Sequence, residues 1–191
     1  MGFRFAVEKQ DWIVKQTQLL STSKPAIIYD ETNGFDTRFH KITIKRHIKS
    51  IIQTQKKDNQ VTILIPEHEN IQSLKTQNNI KSVITEVLRT EAKKYLIPRL
   101  FELAKIHGFT FNNIYIKNLK SRWGSCSIQN NINLNLHLMR LPEYLSDFII
   151  LHELCHTIHR NHGIHFHALL NKIAGDEKPL NKELKKYSSQ L

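Results

Sequence analysis

The chain has 191 residues, 40% of them hydrophobic, and a formal net charge of +11. That length suits one domain with at most a small appendage, and two cysteines exclude a disulfide framework. The opening stretch lacks the apolar core of a signal peptide, and the longest aliphatic run, Phe148 to Leu151, is far too short for a membrane span, so a cytoplasmic, soluble protein is expected.

Residues 5–20 have the spacing of an amphipathic helix that buries Phe5, Trp12, Ile13 and Leu19. A loop-like stretch follows to Lys41, and Ala26 to Tyr29 within it suggests a short strand. Alternation predicts strands over Lys41 to His47 and Gln60 to Ile65, and Ile51 and Ile52 suggest another between them. A long helix is predicted from about Asn79 to His107, kinked by Pro98 and stopped by Gly108. A strand over Asn113 to Asn118 comes next, then a β pair, Arg122 to Ser127 with Ile132 to Leu136. A helix starting with Pro142 as its first residue should run through Ile158, apolar nearly all round and so mostly buried. A last amphipathic helix carries Phe166, Leu169, Leu170 and Ile173, and the charged tail after Gly175 should be weakly ordered. The order of elements makes the chain α+β. Three segments are expected: a helix plus β-rich region over 1–70, a main domain over 71–175 and a tail over 176–191.

Charge and histidine are unevenly spread. Residues 41–120 carry fifteen basic and six acidic side chains. Such a face attracts nucleic acid or acidic partners, or simply keeps the surface solvated. Of the eleven histidines, six fall between positions 152 and 167. His152 and His156 stand four apart on a helix, so both rings project from one face and can share a zinc ion. Glu153, about 100° around the helix, lies beside the metal rather than on it, where it can take a proton from a metal-bound water. His159 shares the face but lies about 10.5 Å along the axis from His152. His162 is the better third ligand, because Asn161 and Gly163 beside it tolerate the left-handed backbone that reverses a chain. Three histidines leave a coordination position open, the mark of a catalytic zinc. Cys155 reads as a small core residue.

These residues resemble those of the YgjP-like metallopeptidases. The likeness rests on Ser121-Arg122-Trp123-Gly124-Ser125-Cys126-Ser127, on Ile132-Asn133-Leu134-Asn135, on His152-Glu153-Leu154-Cys155-His156, on Asn161-His162 and on Phe166. It is best over about residues 80–175, and Asp11-Trp12-Ile13 looks like the family's pre-linker helix. His165 and His167 depart from the small or polar residue and the Trp usual there. The resemblance implies a zincin-like metallopeptidase domain with a small sheet and an active-site helix, behind a partial N-terminal β-rich region. It implies zinc on His152, His156 and His162, with Glu153 as general base. In peptidases of this design a strand beside the metal helix pairs with an extended substrate, which would make Trp123, Gly124 and Ser125 substrate-binding residues, Gly124 admitting another backbone. The blander alternative makes Trp123 a core anchor and Gly124 a bulge. Tyr144, Arg122, His137 and His159 are all candidate oxyanion donors. The expected activity is peptide-bond hydrolysis on protein or peptide substrates. Its rivals are a peptidase for nucleic-acid-bound proteins, as in the related SprT-like group, and a zinc-stabilised interaction module without turnover.

Overall fold

The structure, a computed structural model, describes residues 27–189 and residue 191; the helix expected over 5–20 lies outside them. The described chain is α+β, with two small sheets and four α-helices. The first sheet holds β1 (Phe35–Asp36), β2 (Lys41–His47), β3 (Gln53–Lys57) and β4 (Gln60–Pro66), in the order β1-β2-β4-β3. Strands β2 and β4 run parallel, and their alternating Ile42, Ile44, Val61, Ile63 and Ile65 enter the core. Strand β3 escapes a hydrophobic reading because it is all polar and faces solvent. It begins just past Ile52 and joins β4 through a two-residue turn, in which Asp58 takes a φ of 51°. The strand suggested up to Tyr29 does not form among the described residues. The buried Gln77 side chain instead serves that backbone, accepting from Tyr29 N at 3.0 Å and donating to Tyr29 O at 2.8 Å.

Helix α1 (Leu74–His107) is the backing of the molecule. Its row Ile80, Ile84, Leu88, Ala92, Leu96 and Leu100 is fully buried. It starts earlier than the apolar period suggests, because Ser73 caps it by accepting from Thr76 N and the first turn is polar. It ends at Gly108, whose φ of 72° is left-handed.

The second sheet holds β5 (Ile114–Lys117), β6 (Gly124–Cys126) and β7 (Ile132–Asn135), in the order β5-β7-β6. Strand β6 is an edge, antiparallel to β7. A 3-10 helix (Leu136–Arg140) leads to α2 (Glu143–Cys155), where Pro142 is the cap rather than the first helical residue. An Arg99 fork on Asp147, with contacts of 2.9 and 2.6 Å, ties α1 to α2. Helix α3 (Ile164–Ala174) follows, and then α4 (Glu177–Leu184). The tail expected to be weakly ordered is therefore helical. Asp176 caps it, accepting from Lys178 N, and Leu180, Leu184 and Tyr187 rest against the core.

Candidate metal centre

Helix α2 is apolar on nearly every face, with Leu145, Phe148, Ile149, Ile150, Leu151, Leu154 and Cys155 buried. That packing carries His152 and Glu153 inward on its last turn. The helix stops at Cys155, sooner than the expected Ile158, and His156 is its cap residue, still helical with its N–H directed to His152 O. The four-residue spacing thus survives. Beyond it the chain turns tightly: Thr157 N bonds Leu154 O, Ile158 N bonds Cys155 O, and the Thr157 hydroxyl donates to Leu154 O at 2.7 Å. The reversal that returns His162 does not use the left-handed backbone expected of Asn161 and Gly163. Gly163 is extended, at φ −87°, and Asn161 is not among the positive-φ residues. Successive tight turns with negative φ bend the chain instead.

The structure brings His152, His156 and His162 together, with ligand-capable nitrogens within 4.8 Å of one another. His152 Nε2 and His162 Nε2 are 3.1 Å apart. His156 Nδ1 lies 3.1 Å from His159 O, and donation to that carbonyl leaves Nε2 as the free nitrogen. His159 therefore contributes its main chain here, while its ring stacks near His165, centroids 6.1 Å apart. The fully buried Phe166 lies against all three imidazole rings, at centroid distances of 5.0, 4.6 and 4.7 Å. Burial, then the neighbouring histidines, pushes His152 down to about 4, and burial lowers His156 as well. Both imidazoles are thus neutral at pH 7, as metal ligands must be.

Glu153 is only 6% exposed. Burial raises its carboxyl to about 8, opposed by the charge of Arg122. A Cβ placed on Gly124 would stand 2.7 Å from Glu153 Cγ and Oε1. The close neighbour at Gly124 is thus this side chain, a contact that spacing in the sequence does not reveal. Three converging imidazoles beside a buried carboxyl group suit a divalent cation, whose charge would favour the ionised form of Glu153. Small ring adjustments would close the cluster to the span of one ion with bonds of about 2.0–2.1 Å.

Trp123 is half-buried and faces α4, where it lines a cavity with Leu184 and Tyr187. Ser125 points away from α2 and accepts from Asn133 Nδ2 at 3.2 Å. Asn135, fully buried, organises the segment leading into β6. Its amide donates to Leu119 O and Arg122 O, both at 2.8 Å. Among the candidate oxyanion donors, the Tyr144 hydroxyl donates to Glu183 at 2.5 Å, and His137 Nε2 lies 3.1 Å from Asn118 Oδ1. Arg122 is the one whose charge reaches Glu153.

The model of the family described as YgjP-like, metallopeptidase domain, matches residues 3–187. No curated protein matches the chain. Among solved structures, the metallopeptidase zymogen jannalysin of Methanocaldococcus jannaschii is 29% identical, over 47% of this chain and 88% of that one, with a TM-score of 0.39. The metallopeptidase zymogen abylysin of Pyrococcus abyssi is 23% identical, over 47% of this chain and 91% of that one, with a TM-score of 0.41.

Proposed function

The chain belongs to the YgjP-like metallopeptidase domain family, and from that membership we propose that it hydrolyses peptide bonds using zinc held by His152, His156 and His162, with Glu153 as general base. The convergence of three imidazoles from positions 152–162 beside a buried carboxylate carries this reading. A bound ion would polarise the scissile carbonyl and acidify the attacking water. Glu153, wedged between α2 and Gly124, takes the proton of that water on its carboxylate and hands it to the leaving amine. An extended substrate pairs along the edge of β6, beside Trp123, Gly124 and Ser125. Arg122, whose charge acts on Glu153, serves as the oxyanion donor, since Tyr144 and His137 are engaged elsewhere and the His159 ring lies beside His165.

Glu153→Gln tests the assignment. Gln matches Glu in size but accepts no proton near neutral pH. Zinc content measured by elemental analysis should stay at one per chain, while peptide hydrolysis falls by about 10²–10⁴-fold. Equal activity in variant and wild type would remove Glu153 as the base. Turnover absent in both at full zinc occupancy would favour a zinc-stabilised module.

A further inference from the structure

The turn Ser127–Asn131 between β6 and β7 and the segment after α2 are distant in sequence, and one side chain joins them. Arg160 Nη1 donates to Ser127 O at 2.7 Å and approaches Cys126 Sγ at 3.8 Å. Its Nη2 donates to Ile128 O at 2.9 Å and to Asn130 Oδ1. These partners are neutral acceptors of β6 and the turn after it, arranged for a planar fork rather than a point charge. The turn is closed by Ser127 N to Asn131 O and Asn130 N to Ser127 O, with Asn130 at a φ of 55°. Arg160 itself lies between two of the histidines, four residues after His156 and two before His162. Strand β6 has three residues and one hydrogen-bonded strand neighbour, so its own ladder holds it weakly.

We propose that Arg160 is a positioning residue, a strap that fastens β6 and its turn to the loop carrying His162. The substrate-pairing edge and the metal loop are thereby held in fixed register. The inference rests on the peptidase reading above. Without the strap, β6 would lose anchorage while Glu153 and the histidines kept theirs on α2 and Phe166. The loss would then fall on substrate binding in ground and transition states alike, which raises KM and spares kcat.

The test compares Arg160→Ala and Arg160→Lys with wild type by hydrogen exchange on the metal-free full chain and by steady-state peptide hydrolysis on the zinc-loaded one. In Arg160→Ala the amides of Ser127, Asn130 and Asn131 should exchange at least about tenfold faster while those of α1 are unchanged. Lys offers one ammonium in place of a fork, so Arg160→Lys should fall between. KM should rise about tenfold, with kcat within about threefold of wild type. Unchanged exchange in the turn, or faster exchange with an unchanged KM, would overturn the strap. If wild type cleaves no peptide, the peptidase reading fails by itself, and the exchange data alone decide the strap: faster turn exchange upholds it, unchanged exchange overturns it.

Discussion

Gly124 and Gly108 show two different reasons for a glycine. At Gly108 the backbone is left-handed and nothing lies within 4 Å of a built Cβ, so conformation is the need. At Gly124 the backbone is ordinary, but a Cβ would collide with Glu153, so space is the need. Glu153 has little freedom to retreat, since Leu151, Leu154 and Cys155 around it are buried. Gly124→Ala should therefore displace the carboxylate by a fraction of an ångström. Zinc should remain bound, and kcat should fall about tenfold to a hundredfold, the usual scale for a misplaced catalytic group. Kinetics at matched zinc content check it, and an unchanged kcat would show that β6 yields instead.

At the scale of elements, Asn135 holds the approach to β6. Asn135→Ala would leave the part-buried carbonyls of Leu119 and Arg122 without their partner and a gap where the fully buried amide stood. A loss of about 2–4 kcal/mol is expected, read as a lower urea midpoint at constant slope. A loss below about 1 kcal/mol would mean that water replaces the amide. Strands β2 and β4, the core row of α1 and the burial of α2 were legible in the sequence because apolar residues recur at the period of each element. Strand β3, the first turn of α1 and α4 were not. In the first two, turn geometry or capping sets mostly polar residues in place, and in α4 only Leu180 and Leu184, among charged neighbours, mark the face that rests on the core. At the candidate site, the approach of His152 to His156, with Glu153 beside them, was legible from spacing. The position of His162 was legible too, but its route was not, since tight turns with negative φ leave no glycine signature. Arg160 gave no signal at all, being one cation among many in a basic chain.

At the scale of the whole molecule, buried titratable groups set how the metal-free protein responds to pH. His152 and His137 are each pushed down to about 4 from 6.5 by burial. Between those values the unfolded chain takes up protons that the folded chain refuses, so stability falls as pH drops from 6.5 toward 4. Glu153 acts in the opposite direction. Its carboxyl is raised from 4.5 to about 8, so the folded chain keeps a proton that the unfolded chain has lost, and stability falls as pH rises through that window. Chelator-treated protein should therefore be most stable at about pH 6–7. Glu153→Gln should abolish the alkaline decline and raise stability at pH 8 by on the order of 1–3 kcal/mol. Thermal melts of both proteins from pH 4 to 9 check this, and parallel profiles would contradict it.

The three proposed ligands and the aromatic ring against them all lie within residues 152–166, whereas the wall behind Glu153 comes from β6 and the Arg160 contact to Ser127 spans 33 positions. This contrast has a consequence for the order of assembly during folding. Closing a loop of about ten residues costs little chain entropy, while pairing distant strands is slow. A refolding chain should thus capture its ion before β6 is seated, and zinc uptake should run ahead of regained hydrolysis. Stopped-flow refolding with a zinc-sensitive dye, set beside recovery of peptide cleavage, would show the two phases; a single shared rate would place strand docking first.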